Sequence, residues 1–145
     1  MSKIEEAISI LNVCRVKYLL IGGMASVLYG VPRTTVDIDI AIMPSEANVK
    51  RAIDALKTVG LTCDTEDTDD IIAQGGITFS NTLSIDVLTA LPGKMKFESL
   101  WTRRNVVVYR DIKLNVVSKA DQIKMLKAIG RARDLEDAET MEKHL

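Results

Sequence analysis

The sequence predicts an α/β (α+β) fold, a mixed sheet with helices packed on it. Three observations predict it. Short apolar runs bounded by glycine, proline, asparagine or aspartate read as strands, and longer stretches with apolar residues three and four apart read as amphipathic helices. The two types follow one another as α-β-α-β-α-β-β-α-β-β-α-α, which is not the regular alternation of a doubly wound fold. The 145 residues show no linker, internal repeat or low-complexity stretch, so residues 1–145 are expected to form a single domain with a sizeable core.

Composition excludes some function classes. The chain is 47% hydrophobic and 27% charged, with 19 basic against 20 acidic residues. That balance gives no global electrostatic case for a nucleic-acid or membrane binder. Cys14 and Cys63 form no metal-ligand or redox motif and are expected to be buried free thiols in a reducing compartment. Glu5 and Glu6 precede any long apolar run, so the start is not read as a secretory signal. The nearly uncharged window between Lys17 and Arg33 is broken by three glycines and a proline and is too short to span a bilayer. The expected location is the cytoplasm, with no membrane partner.

Taken in order, Ile4, Ala7, Ile8 and Leu11 place a helix over 2–15. Residues 17–21 form a short buried strand. Gly22-Gly23 then permits a tight turn and opens a short helix that ends near Gly30, with Pro32 blocking its continuation. A strand follows over 36–43. Ser45 caps a helix whose buried stripe is Val49, Ala52, Ile53 and Leu56, stopped at Gly60. The acidic segment 64–70 lacks periodicity and reads as a solvated loop.

Residues 77–79 and 83–88 form a hairpin around Ser80-Asn81-Thr82, and 94–102 is helical. A second hairpin joins 106–109 to 114–117 around Asp111. Ser118 with Asp121 has capping-box spacing ahead of a helix carrying Ile123, Leu126 and Ile129 inward. After Gly130, residues 132–143 form a charged closing helix. Trp101 reads as a core residue, and the basic residues of 94–113 read as a scattered solvated face.

The chemistry lies in three aspartates. Asp37 and Asp39, two apart on one strand, project to the same face while Ile38, Ile40 and Ile42 pack behind them. Asp86 stands between Ile85 and Val87 on another apolar strand. Charges in such strands are costly unless paired, and neighbouring strands would bring the three acids to one rim. Three carboxylates suit hard divalent cations, two magnesium ions or manganese, with positions left open for phosphate. Gly22-Gly23 supplies the complement, backbone N–H groups unobstructed by side chains and aimed at phosphate oxygens. Carboxylates and anion cradle together suit the transfer of a nucleotide phosphate.

An apolar residue, Gly-Gly, thirteen residues, Asp-Ile-Asp and a later Ile-Asp-Val together resemble the polymerase-beta-like nucleotidyltransferase superfamily. The run Arg33-Thr34-Thr35-Val36-Asp37-Ile38-Asp39 is similar to the version found in minimal nucleotidyltransferases, including the toxins of toxin–antitoxin pairs. The segment from Lys127 through Arg131-Ala132-Arg133-Asp134-Leu135-Glu136-Asp137 resembles their closing helical part. The resemblance implies a nucleotidyltransferase fold and transfer of a nucleoside monophosphate from an NTP to an acceptor hydroxyl. It implies that Asp37, Asp39 and Asp86 are the catalytic, metal-holding carboxylates. Gly22, Gly23, Arg33, Thr35 and Lys127 are its implied nucleotide contacts. Arg33 as a loop anchor and Lys127 as a solvated ion-pair partner are the structural alternatives.

Two rival functions stand beside this one. The first is a non-catalytic or partner-dependent module of the same fold, paired with a second copy or an antitoxin-type chain. The second is a metal-dependent glycosyltransferase, against which the upstream Gly-Gly and the short chain argue. The sequence leaves the nucleotide base open, and leaves the acceptor open among RNA, protein and small molecules.

Overall fold

The computed structural model describes residues 1–35 and 37–144. In chain order the elements are α1 (Lys3–Val13), β1 (Tyr18–Ile21), α2 (Gly22–Leu28), β2 (Ile38–Ile42), α3 (Glu46–Thr58), α4 (Thr68–Gln74), β3 (Gly76–Asn81) and β4 (Leu83–Leu88). A 3-10 turn at Pro92–Lys94 leads to α5 (Phe97–Thr102), β5 (Asn105–Tyr109), β6 (Ile112–Val116), α6 (Lys119–Ile129) and α7 (Ala132–Lys143). Val36, the expected first residue of the second strand, lies outside the described residues.

The strands form one mixed sheet in the order β3-β4-β2-β1-β6-β5. Strands β1 and β2 are antiparallel, whereas β2 runs parallel to β4 and β1 parallel to β6. The hairpins β3–β4 and β5–β6 flank this centre. The apolar runs are buried as expected of central strands: every residue of β1 is buried, and Ile38, Ile40, Ala41 and Ile42 are buried on β2. On one face, Leu20 and Ile38 share a cavity with Ile4 and Ile8 of α1 and with Met24 and Leu28 of α2. The opposite face carries Asp39 and lies against α6, whose Met125 and Leu126 line the same cleft as Ile21 and Leu88.

Local chemistry explains the boundaries. Ser45 Oγ accepts from the Asn48 N–H, and Ser118 Oγ from the Asp121 N–H, so both expected caps are made. The capping box is half-built, because the Asp121 carboxylate is taken by Arg103 at 2.9 and 3.1 Å. Asn48 explains where β1 and α3 meet: its buried amide accepts from the Lys17 N–H and donates to the Lys17 and Met43 carbonyls. Arg110 and Asp111 both have positive φ, the signature of a two-residue primed turn closing β5–β6.

Four expectations are corrected. The segment expected as a solvated acidic loop ends in α4, capped by Asp67 through the Asp70 N–H and closed by left-handed Gly75. Ile71 is the one buried residue of that helix, too little apolar surface to write a period into the sequence. On α6 the buried residues are Asp121, Gln122, Met125 and Leu126, whereas Ile129 is 41% exposed at the cleft. Cys14 and Cys63 are unpaired as expected but half-buried. Trp101 is also half-buried, stacked on Phe97 with the Arg104 guanidinium 3.8 Å above its ring.

Candidate active site

Sheet register assembles the acids. Asp39 is paired across β1 with Ile21 and across β4 with Asp86, so the two aspartates are in-register neighbours on parallel strands. Side chains of such neighbours leave the sheet on the same face, with strands about 4.8 Å apart. Thr78, opposite Asp86 on β3, donates its hydroxyl to Asp86 Oδ1 and orients that carboxylate. Asp37 lies just ahead of β2 and is exposed. Its backbone carbonyl accepts from Thr35 Oγ1 at 3.1 Å.

The pair is electrostatically frustrated. Burial, then the charges of Asp86 and Asp37, push the Asp39 carboxyl up to about 6, with Arg131 pulling weakly the other way. Among the described residues no group of three or more His, Cys, Asp or Glu side chains is disposed to hold a metal ion. Two adjoining carboxylates are nonetheless the donor set magnesium commonly takes from a protein when substrate phosphates and water complete its shell. A divalent cation would remove the repulsion that raises Asp39, so the residues fit the group the sequence implied.

The glycine turn abuts the same carboxylate. Gly22 has φ +68°, and a Cβ there would overlap Asp39 Oδ2, so both the backbone angle and the space require glycine. A Cβ on Gly23 would stand 3.3 Å from Thr35 Oγ1, a tight contact that ties the turn to the Arg33–Thr35 loop. The helix α2 that follows begins without a side-chain cap, leaving its first N–H groups free of a competing oxygen.

Arginines share a cleft with the turn. A cleft of about 220 Å³ is lined by Gly22, Gly23, Thr34, Thr35 and Asp39 together with Arg33, Arg131 and Arg133. Leu88, Pro92, Met125 and Ile129 form its apolar wall. Arg33 donates through Nε to Asp137 at 3.2 Å, and Arg131 through Nε to Asp134 at 2.6 Å. Both acids are buried on α7 while the Arg131 side chain is 64% exposed, so the helix orients guanidinium groups whose remaining donors reach solvent.

Of the sequence candidates, Gly22, Gly23, Arg33, Thr35 and Asp39 line this cleft. Asp86 lines a second depression, with Gly75, Gly76 and Thr78, that meets the cleft at Asp39 and Leu88. Lys127 does not line the cleft; its Nζ is 3.0 Å from Glu142 on the next helix. Arg131, Arg133 and the anchoring acids Asp134 and Asp137 belong to the closing run that resembles minimal nucleotidyltransferases, yet the sequence assigns them no place at the site. Their signal was the break at Gly130, which starts α7 at the cleft.

No family model and no curated protein matches the chain. Solved structures do, at 13–18% identity. The lincosamide antibiotic adenylyltransferase LnuA, lincomycin-bound, superposes with a TM-score of 0.70 and 18% identity over 99% of this chain and 96% of its own. ANT(2")-Ia in complex with adenylyl-2"-tobramycin gives 0.63 and 13% over 97% and 91%. An antigenic nucleotidyltransferase-like protein from Paracoccidioides brasiliensis gives 0.57 and 14% over 96% and 74%. The fold is therefore the nucleotidyltransferase fold, as the sequence implied. No helix among the described residues is long and apolar enough to cross a membrane.

Proposed function

We propose that the protein is a nucleotidyltransferase that moves a nucleoside monophosphate from an NTP to an acceptor hydroxyl, releasing pyrophosphate. The observation that carries this is the register of Asp39 with Asp86 beside a glycine turn, with Arg33 and Arg131 lining the same cleft. The acceptor oxygen would form a bond to the α-phosphorus as the bond to the β-phosphate oxygen breaks, with pyrophosphate as leaving group. Divalent cations, magnesium or manganese, held by Asp37, Asp39 and Asp86, would neutralise phosphate charge and lower the pKa of the attacking hydroxyl.

The chain's own residues do the rest. Gly22 and Gly23 present N–H groups to the phosphate oxygens at a distance no side chain would allow. Arg33 and Arg131 hold the charge of the triphosphate, taking the place expected of Lys127. Asp86, oriented by Thr78, accepts the proton of the acceptor hydroxyl. Positioning and charge stabilisation supply most of the rate in such a site. The antibiotics named in two of the similar structures support a small-molecule hydroxyl among the three acceptor classes left open.

The test is calorimetric titration and thermal shift with each of the four NTPs, with and without magnesium. The wild type is expected to bind at least one NTP in a magnesium-dependent way and to melt higher when it does. The Asp37→Asn/Asp39→Asn double variant is expected to lose both effects. A folded wild type that binds no NTP would remove the proposal.

A further inference from the structure

Gln122 is 1% exposed on α6, and its amide reaches back one hundred residues to the glycine turn. Its Nε2 donates to the Gly22 carbonyl at 2.9 Å and to Ser26 Oγ at 3.0 Å. The Gly22 carbonyl can only accept, so the nitrogen must face it and the amide orientation is fixed. Gly22 opens α2 and Ser26 lies one helical turn further on, so one amide spans the turn and the helix it opens.

The other end of the same amide is an anomaly. Among the described residues Gln122 Oε1 is the buried side-chain polar atom that has no hydrogen-bond partner. A methionine would fill the same space with no orphaned oxygen, so packing alone does not account for a glutamine here. What glutamine adds is the two-pronged donor. The helix that carries it also brings Met125, Leu126 and Ile129 to the cleft wall and ends at Gly130, just before Arg131. Gln122 thus registers the helix leading to the arginine against the turn that lines the same cleft.

We propose that Gln122 is a positioning residue for the nucleotide's phosphates. It holds the Gly22–Gly23 peptide through the Gly22 carbonyl so that the Gly23 N–H faces the cleft, and fixes the spacing between that turn and Arg131. This rests on the nucleotide reading above. It adds a requirement in α6 that neither the aspartates nor the glycines reveal.

The experiment compares wild type, Gln122→Met, Gln122→Glu and Ser26→Ala for melting temperature and for binding of three probes: magnesium–NTP, magnesium–tripolyphosphate and the free nucleoside. Gln122→Met is expected to melt within a few degrees of wild type, and Gln122→Glu, which buries a carboxyl against the Gly22 carbonyl, to melt lower while still folding. Both should lose about tenfold in affinity for the NTP and for tripolyphosphate, the loss typical of a displaced charge-binding donor set. Nucleoside affinity should stay unchanged. Ser26→Ala keeps the Gly22 contact and should stay within about twofold of wild type.

Wild-type affinity for the phosphate probes in both Gln122 variants overturns the proposal while leaving the nucleotide reading intact. So does an equal loss for all three probes, or unfolding of both variants, since either makes the residue structural. A wild type that binds no NTP is a separate result, removing the nucleotide reading and this proposal with it.

Discussion

Asp39 of β2 and Asp86 of β4 stand side by side in register on parallel strands, and the first carboxyl titrates near 6 because it is buried against the second. The folded value lies above the ordinary carboxylate value, so the native state holds this proton longer than the unfolded chain does. The stability this contributes is fully present below about pH 4 and is lost as pH rises through about 6. Metal-free protein should therefore melt progressively lower across that window. Asp39→Asn should flatten this slope and melt a few degrees above the wild type at pH 7.5 in a chelator, while losing magnesium-dependent NTP binding. A melting-temperature series across pH, with and without magnesium, checks both halves.

Gly22 meets the same carboxylate from the backbone side. Gly22→Ala adds a positive-φ penalty and a collision with Asp39 Oδ2, whereas Gly60, at φ +90°, has open space around it. Gly60→Ala should cost about 1 kcal/mol from the backbone alone, and Gly22→Ala about 2–3 kcal/mol. Urea unfolding midpoints measure the difference. Gly22→Ala should also lose metal-dependent nucleotide binding, because Asp39 must move to admit the methyl group.

Much of this site was readable from sequence because it is carried by backbone pattern. Asp37 and Asp39 interrupt an apolar alternation, Asp86 interrupts another, and a glycine pair follows a buried run. Each is a local violation of what a packed strand or helix wants. The register that sets Asp39 against Asp86 rather than one residue away depends on long-range pairing and has no local signal. Arg131 lies in the run that carries the resemblance, but its place at the cleft has no local signal. That place comes from where the α6–α7 junction docks, and Asp134, the acid that aims it, looks in sequence like an ordinary i,i+3 ion-pair partner. Gln122 carried a weak signal, a polar residue on the buried stripe of α6. The expected stripe holds Leu126, which is buried, but begins on Ile123 instead of Gln122.

Arg103 and Asp121 test whether α6 is held where the cleft needs it. Asp121 is buried at the first turn of α6, and Arg103 is its bidentate partner while remaining half-exposed itself. Removing the partner strands a desolvated carboxylate. Arg103→Met should lower stability, and Arg103→Met/Asp121→Leu by clearly less, since no charge is then left unpaired. Denaturant unfolding of the two variants separates a stranded charge from simple loss of a contact.

Arg131 and Lys127 are four residues apart near the same helix end and make opposite predictions. Arg131 lines the cleft and its charge is felt at Asp39; Lys127 is engaged with Glu142 outside it. Arg131→Met should weaken magnesium–NTP binding about tenfold, and Arg131→Lys should recover only part of it, because a point charge cannot reproduce a guanidinium fork held by Asp134. Losing the cation should also raise the Asp39 titration further, moving the pH dependence of metal-free melting upward. Lys127→Met should change neither quantity, since an exposed ion pair contributes little. Titrations at two salt concentrations decide it: a steep salt dependence in wild type and Lys127→Met, flattened in Arg131→Met, places the phosphate-binding charge at residue 131. The reverse pattern would place it at 127.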